Sequence, residues 1–274
     1  MRTLFVHTGG IGDFLLTCPA LAALARDRAV TLAGHPDRLS LAVAAGVAER
    51  AVSLDAIDFG SLFSRVSPRL QAFAGAFDEA IVWMRDTDGA ISSGLQRCGI
   101  HQVRCFPGLP QATWERHATA YYLECLGLPP GDDFRLTVPP EPRFGGWVLH
   151  PGSGGARKNW PVDHFEAVAA RLARRGRKVH WCLGPVEEAI RVPDGVVPLR
   201  CESLVALAAC LAAADGYVGN DSGISHLAAV VGCRTVAIFG PTDPAVWAPR
   251  GPKVTVAHGG PWPSVQDVLD LLDG

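Results

Sequence analysis

Residues 216–226 read Gly-Tyr-Val-Gly-Asn-Asp-Ser-Gly-Ile-Ser-His, and an apolar run follows them. The first four residues have the composition of a short buried strand, and residues 224–231 have that of a helix. Between the two, Asp221 or Ser222 is suited to cap the helix, while Gly223 leaves the first-turn N–H groups open to a ligand. The positive end of a helix attracts anions, so this stretch predicts a phosphate site at a strand-to-helix corner.

Other residues support the same corner. Ser222 and His226 are four residues apart and share a face of the predicted helix, and Gly232 suits its C-terminus. Residues 240–244, Gly-Pro-Thr-Asp-Pro, follow the next predicted strand and form a turn at the same end of the sheet. A histidine on an apolar helix is often simply a buried core residue, so His226 is either a core residue or part of the site.

Predicted strands and helices alternate on both sides of this corner. The predicted strands are residues 4–7, 29–33, 51–54, 80–84, 103–106, 147–150, 178–183, 216–219, 235–239 and 254–257. The main predicted helices are residues 13–27, 112–126, 162–175, 203–214, 224–231 and 264–272. Such alternation is typical of parallel sheets with helices on both faces, which is the α/β class.

The alternation breaks once, at residues 127–146, which hold five prolines and four glycines. We therefore predict two Rossmann-like domains, residues 1–142 and residues 143–274. In such domains ligands bind at the carboxyl ends of the strands, here facing a central cleft.

The composition excludes several classes of protein. Of the 274 residues, 48% are hydrophobic and 19% are charged, so the chain can bury a core and is not disordered. The net charge of −2 argues against a nucleic-acid partner. Eight cysteines without a CxxC pair indicate reduced, buried thiols. With no signal peptide or membrane span in the sequence, we expect a cytoplasmic protein.

Residues 9–13, Gly-Gly-Ile-Gly-Asp, join the first predicted strand to the first predicted helix. Gly10 and Gly12 let backbone N–H groups approach a ligand at this turn. Asp13 has two interpretations: a first-turn residue that stabilises the helix, or a general base that projects into the cleft. The dinucleotide fingerprint G-x-G-x-x-G is incomplete because Leu15 replaces its last glycine, and the P-loop pattern also fails.

Residues 150–161, His-Pro-Gly-Ser-Gly-Gly-Ala-Arg-Lys-Asn-Trp-Pro, form a second glycine-rich turn. Ser153 and the glycines supply hydrogen-bond donors, and Lys158 is one of three lysines in the chain. A point charge beside backbone donors suits an anionic diphosphate. The alternative is an exposed loop with ordinary surface charges.

The three motifs together, in this order, resemble family 9 glycosyltransferases, the ADP-heptose:lipopolysaccharide heptosyltransferases and their relatives. The resemblance spans nearly the whole chain. It implies a GT-B fold and an inverting, metal-independent transfer of a sugar from a nucleoside diphosphate. It also implies that the N-terminal domain holds the acceptor and the C-terminal domain holds the donor. The N-terminal half lacks the longer insertions expected around a lipopolysaccharide acceptor.

The resemblance implies roles for single residues. Asp13 falls on the family's catalytic base, with Gly10 and Gly12 in the acceptor-side turn. Contacts to the donor diphosphate are implied for Ser153, Lys158, Ser222, Gly223, Ile224 and His226. Contacts to the nucleotide or its sugar are implied for Asp221, for Glu187 with Glu188 as its alternative, and for Glu202.

The implied partners are a nucleotide-sugar donor, ADP-heptose by the resemblance, and a glycan or lipid-linked glycan acceptor. No cofactor and no metal are expected. Asp86 and Asp88 have the spacing of a metal pair, but they lie in the first half of the chain, and we interpret them as loop or helix-cap residues. The expected location is the cytoplasm, with contact to the inner face of the membrane through the acceptor as an option.

Three other functions remain open. A nucleotide-sugar epimerase would share the diphosphate corner and need no acceptor, and an inactive relative would bind the nucleotide-sugar only. The incomplete glycine fingerprint and the lack of a Tyr-x-x-x-Lys motif argue against the third, a nicotinamide-dependent dehydrogenase.

Overall fold

A computed structural model describes residues 1–131, 133–138, 144–184 and 190–273. The chain forms two compact units. The first contains Met1–Trp114 and Ala118–Asp132, and the second contains Glu115–His117 and Asp133–Gly274. The predicted boundary between residues 142 and 143 lies outside the described residues.

The first unit is a five-stranded parallel sheet with helices, in the strand order β3-β2-β1-β4-β5. Its elements are β1 (Arg2–His7), α1 (Ile11–Leu24), β2 (Ala29–Gly34), α2 (Pro36–Ala44), β3 (Arg50–Ser53), α3 (Pro68–Ala74), β4 (Glu79–Trp83), α4 (Ala90–Arg97), β5 (Gln102–Cys105) and α5 (Ala118–Cys125). A short 3-10 helix lies at Phe59–Phe63. Strands β1 and β4 are almost entirely buried, as expected for central strands of a parallel sheet.

The second unit is a six-stranded parallel sheet in the order β11-β10-β9-β6-β7-β8. Its elements are β6 (Trp147–His150), α6 (Val162–Arg174), β7 (Val179–Cys182), β8 (Val197–Leu199), α7 (Leu204–Ala213), β9 (Gly216–Asn220), α8 (Gly223–Val230), β10 (Thr235–Phe239), α9 (Pro244–Trp247), β11 (Val254–His258) and α10 (Val265–Asp273). A 3-10 turn, Ala156–Lys158, lies between β6 and α6. The predicted α/β class with two parallel sheets is confirmed.

The clearest differences from the sequence prediction are in strand β8 and helix α5. Strand β8 was not predicted, because its three residues are Val-Pro-Leu and the first two are exposed. A proline in a strand is tolerated at a sheet edge, which is where β8 lies. Helix α5 begins at Ala118, six residues after its predicted start, because Glu115–His117 packs in the second unit. There His117 Nε2 lies 2.9 Å from the carbonyl oxygen of Ala248.

The order of the strands determines where a ligand can bind. In the first unit the chain runs outward from β1 through β2 to β3 and then returns to place β4 on the other side of β1. The second unit repeats this arrangement, with β9 on the other side of β6. Loops that leave neighbouring strands in opposite directions open a crevice at the carboxyl ends of those strands. The glycine turns that follow β1 and β6 lie at these two points.

The opposite, amino edge of the first sheet is held by a buried carboxylate. Glu79, the first residue of β4, is 2% exposed. Arg104 Nη2 donates to its Oε1 at 2.8 Å, and Arg28 Nη1 donates to its Oε2. Thr3 Oγ1 donates to the same Oε2 at 3.4 Å. The cluster ties β1, β4, β5 and the segment before β2 together.

We expect Glu79→Gln to lower the free energy of unfolding by about 3 kcal/mol, because it leaves two partly buried guanidinium groups without their counter-charge. Urea unfolding monitored by circular dichroism measures this change. The matched control is Asp194→Asn, which breaks the exposed pair with Arg191 and should leave the unfolding midpoint unchanged. Equal effects of the two substitutions would contradict the structural role of Glu79.

Candidate functional site

The predicted phosphate corner forms where β9 ends and α8 begins. Ser222 is the N-cap of α8, and its Oγ accepts a hydrogen bond from the N–H of Ser225 at 3.3 Å. Gly223 and Ile224 are half-buried, whereas the residues of β9 and the rest of α8 are buried. The first turn of α8, whose N–H groups have no partner within the helix, is therefore the part of this corner that a ligand can reach.

Asp221 connects three loops at this corner. Its side chain is 6% exposed, and its Oδ2 lies 2.7 Å from Lys158 Nζ. Thr242 Oγ1 donates to the same oxygen at 2.8 Å, and the N–H of Asp221 donates to the carbonyl oxygen of Ile238 at 2.9 Å. The structure thus brings the predicted Lys158 and Asp221 together, and it adds Thr242 from the turn after β10.

The loop after β6 is held against β9 by Asn220. This side chain is fully buried; its Nδ2 donates to the carbonyl oxygen of Pro151 at 2.7 Å, and its Oδ1 accepts from the N–H of Trp160 at 2.9 Å. Ser153 closes the loop from within, because its Oγ accepts from the N–H of Gly155 at 3.2 Å and lies 2.6 Å from Asn159 Oδ1. Ser153 therefore shapes the loop that carries Lys158.

A chain of buried polar groups lies beneath the N-terminus of α8. Tyr217 Oη lies 3.1 Å from Ser225 Oγ, which lies 3.3 Å from Ser222 Oγ. Ser222 Oγ in turn lies 3.5 Å from His150 Nδ1. These contacts direct the Ser222 hydroxyl toward the interior, so its observed role is to fix the start of α8.

His226 is buried at the same corner, in the second turn of α8. Burial lowers the pKa of its imidazole to about 4; Asp221 raises the pKa in part, and His117 and Lys158 lower it. His226 is therefore a neutral group near pH 7, suited to hydrogen bonding and not to charge pairing. His117 was not predicted as a neighbour of His226, because nothing in the sequence around it links it to that residue.

In the first unit, the turn after β1 fixes Asp13 at the start of α1. Asp13 Oδ2 accepts a hydrogen bond from the N–H of Gly10, the N-cap residue, at 2.9 Å. A Cβ atom at Gly9 would lie 2.9 Å from His7 Cε1 and 3.0 Å from Asp13 Cβ, so only glycine fits there. Gly12 lies in the first turn of α1. The helix-stabilising role of Asp13 is thus present, and its role as a base stays a prediction.

The surroundings of Asp13 are largely buried and polar. Thr17 Oγ1 donates to the carbonyl oxygen of Asp13 at 2.8 Å and lies 3.5 Å from His7 Nε2. Burial and the nearby Arg38 lower the pKa of His7 to about 4. Burial, and to a smaller extent the charge of Asp13, raise the pKa of Tyr122. Asp13 therefore has a neutral imidazole and a neutral phenol as neighbours.

Of the other residues named in the sequence analysis, Glu202, Asp86 and Asp88 lie within the described ranges. Glu202 is exposed in the turn before α7, and within the described ranges no hydrogen bond or ion pair links it to Lys158 or Asp221. Glu187 and Glu188 lie outside the described residues. Asp86 accepts hydrogen bonds at 2.9 Å from the N–H groups of Ile91 and Ser92, which confirms its interpretation as a helix cap.

Over the part of the chain that the structure describes, His, Cys, Asp and Glu side chains form no group of three or more that could hold a metal ion. Every helix in those same ranges is too short or too polar to cross a bilayer.

The two low pKa values predict how stability depends on pH. His7 and His226 have a pKa of about 4 when folded and an ordinary value of 6.5. Between these values the unfolded chain binds more protons, so stability is present above pH 6.5 and is lost as the pH falls toward 4. We expect His226→Gln to reduce this slope by about 1 kcal/mol per pH unit. Guanidinium unfolding at pH 4.5, 5.5 and 6.5 would measure it.

The control for this experiment is His258→Gln, which replaces an exposed histidine on β11. It should leave the slope as in the wild type. A His226→Gln variant with the wild-type slope would show that His226 takes up its proton in the folded state as readily as in the unfolded state.

Part of this chain is similar to a known protein family and to curated proteins. Residues 145–267 match glycosyltransferase family 9 (heptosyltransferase). Lipopolysaccharide heptosyltransferase 1 of Pseudomonas aeruginosa is 33% identical over 102 residues, which are 35% of this chain and 28% of that protein. Lipopolysaccharide heptosyltransferase 1 of Escherichia coli K12 is 36% identical over 95 residues, 32% of this chain and 30% of that protein. The chain thus matches these curated relatives over less than a third of their length.

The solved structures extend the likeness to the whole fold. The E. coli ADP-heptose lipopolysaccharide heptosyltransferase II superposes with a TM-score of 0.79 and 18% identity, covering 100% of this chain and 98% of that one. The E. coli heptosyltransferase WaaC with ADP superposes with a TM-score of 0.71 and 19% identity, covering 100% and 99%. The predicted GT-B fold is confirmed by these superpositions, and the predicted resemblance to family 9 is confirmed over residues 145–267.

Proposed function

We propose that this protein is an inverting, metal-independent glycosyltransferase that moves a sugar from a nucleoside diphosphate to a hydroxyl group of a glycan. The observation that carries the proposal is the corner where Lys158 Nζ lies 2.7 Å from Asp221 beside the first turn of α8. An ammonium group next to open helix N–H groups suits a diphosphate. The match of residues 145–267 to family 9 supports the assignment.

In the proposed reaction the acceptor oxygen attacks the anomeric carbon of the donor sugar from the face opposite the diphosphate. Asp13 takes the proton of the attacking hydroxyl, a new C–O bond forms, and the bond from the anomeric carbon to the diphosphate oxygen breaks. The leaving diphosphate retains the electron pair and gains negative charge. Lys158 and the N–H groups of Gly223 and Ile224 stabilise that charge as it develops, while His226 contributes as a neutral hydrogen-bonding group.

For the donor we propose ADP-heptose, and for the acceptor a lipopolysaccharide or another lipid-linked glycan. The support is in the names of the relatives: two are lipopolysaccharide heptosyltransferases, and one solved structure is a heptosyltransferase with ADP. The proposed location is the cytoplasm, with contact to the membrane through the acceptor. No cofactor beyond the nucleotide-sugar takes part in this scheme.

A transfer assay with ADP-heptose and a heptose-free lipopolysaccharide core tests the function directly. We expect release of ADP that depends on the acceptor, and a product whose anomeric configuration, read by NMR, is opposite to that of the donor. A donor that is epimerised in the absence of any acceptor would assign the protein to the epimerase class instead. Retention of configuration would exclude the direct displacement.

We expect Asp13→Asn to lower the turnover number roughly 100- to 10,000-fold, because the amide cannot accept the proton of the attacking hydroxyl. The amide oxygen can still accept the hydrogen bond from Gly10, so the fold and the affinity for ADP should be retained. Turnover by the transfer assay and ADP binding by calorimetry measure the two effects.

A matched control for this substitution is Asp267→Asn in α10. Asp267 Oδ2 accepts from the N–H of Ser264 at 2.8 Å, in the same first-turn geometry that Asp13 has with Gly10. Its turnover should equal that of the wild type. Wild-type turnover in Asp13→Asn would exclude Asp13 as the base.

We expect Lys158→Met to weaken ADP binding about tenfold, since it removes a charge-assisted contact to the diphosphate and keeps the length of the side chain. Calorimetric titration gives the dissociation constant. Lys253→Met is the control, because Lys253 is exposed at the amino end of β11, at the opposite edge of the same sheet. Unchanged affinity in Lys158→Met would remove Lys158 from the site.

A further inference from the structure

One carboxylate oxygen of Asp221, Oδ2, contacts two donor groups. Thr242 Oγ1 donates to Oδ2 at 2.8 Å, and Lys158 Nζ lies 2.7 Å from the same atom. The Asp221 side chain is 6% exposed and that of Lys158 is 39% exposed. The buried carboxylate is thus the fixed member of the pair, and the lysine extends from it toward solvent. Whatever fixes the carboxylate also fixes the position of the ammonium group.

The turn that carries Thr242 is itself firmly held. A Cβ atom at Gly240 would lie 2.6 Å from the indole ring of Trp262, so the chain passes directly against that ring. On the other side of Thr242, Asp243 caps α9, with Oδ1 accepting from the N–H of Ala245 at 2.8 Å. Because the turn is constrained on both sides of Thr242, at Gly240 and at Asp243, its hydroxyl is presented to Asp221 from a rigid segment.

We infer that Thr242 is a positioning residue of the donor site: through Asp221 it holds the Lys158 ammonium beside the first turn of α8. This inference rests on the proposed function, in which that turn binds the diphosphate. A lysine side chain has four flexible torsions, and an unrestrained one loses much of that freedom when it binds a phosphate. When a hydroxyl group fixes the carboxylate that pairs with the lysine, the lysine has already lost part of its conformational entropy before the ligand binds.

The test is ADP binding by calorimetry to the full chain. Thr242→Val keeps the branched shape and deletes the hydroxyl, and it should raise the dissociation constant about fivefold. Thr242→Ser restores the hydroxyl and should bind ADP as the wild type does. The matched control is Thr235→Val at the amino end of β10, where a buried hydroxyl donates to the carbonyl oxygen of Cys233 at 3.0 Å. Its affinity for ADP should be unchanged.

Two further measurements separate positioning from a general loss of structure. Adenosine has no phosphate for Lys158 to contact, so Thr242→Val should bind it as tightly as the wild type does. In a Lys158→Met background, Thr242→Val should cause no further loss of ADP affinity, since its effect passes through the lysine. Equal losses for adenosine and ADP, or additive losses in the double variant, would overturn the inference.

The outcomes also distinguish this inference from the proposed function. If Lys158→Met weakens ADP binding and Thr242→Val does not, the positioning role fails and the donor site stands. If the wild-type protein binds no ADP or other nucleoside diphosphate, the donor site fails and the role of Thr242 fails with it.

Discussion

The second unit is organised around one constraint, which is that a carboxylate removed from water must be paired. Asp221 is almost fully buried, and a buried charge without partners is costly. Its side-chain partners come from the loops after β6 and β10, while its own backbone N–H donates to the carbonyl oxygen of Ile238, near the end of strand β10. Pairing the Asp221 carboxylate therefore brings together the loops that follow β6, β9 and β10. It also places the ammonium group of Lys158 at the start of α8.

The two units arrange their strands in the same way, but the turns after their first strands carry opposite charges. In each, the first strand of the sheet is followed by a glycine turn at the point where the strand order reverses. In the first unit that turn presents a carboxylate, Asp13, beside the neutral side chains of His7 and Tyr122. In the second it presents a cation, Lys158, beside the positive end of a helix. In the proposed sugar transfer, Asp13 removes the proton of the acceptor and Lys158 stabilises the leaving anion, and these two roles need opposite charges.

Much of this arrangement could be predicted from the sequence, because it depends on local patterns. Alternating strands and helices indicated the parallel sheets, and the residues around Ser222 indicated the capped helix. The features that could not be predicted depend on which strands are neighbours in the sheet. The alternation of strands and helices does not determine that order. Thr242 is 21 residues from Asp221 and meets it only because β10 lies beside β9. Asn220 clamps the loop after β6 for a similar reason, and the exposed Val-Pro-Leu of β8 carries almost no strand signal.

The buried Glu79 cluster also affects how such a protein can change over generations. It holds the sheet from the amino edge, whereas the glycine turns and the proposed chemistry lie at the carboxyl edge. Substitutions in the carboxyl-edge loops can therefore alter what the protein recognises while the clamp on the strands stays intact. Substitutions of exposed residues in those loops should therefore change the free energy of unfolding little, because the Glu79 cluster at the opposite edge does not depend on them.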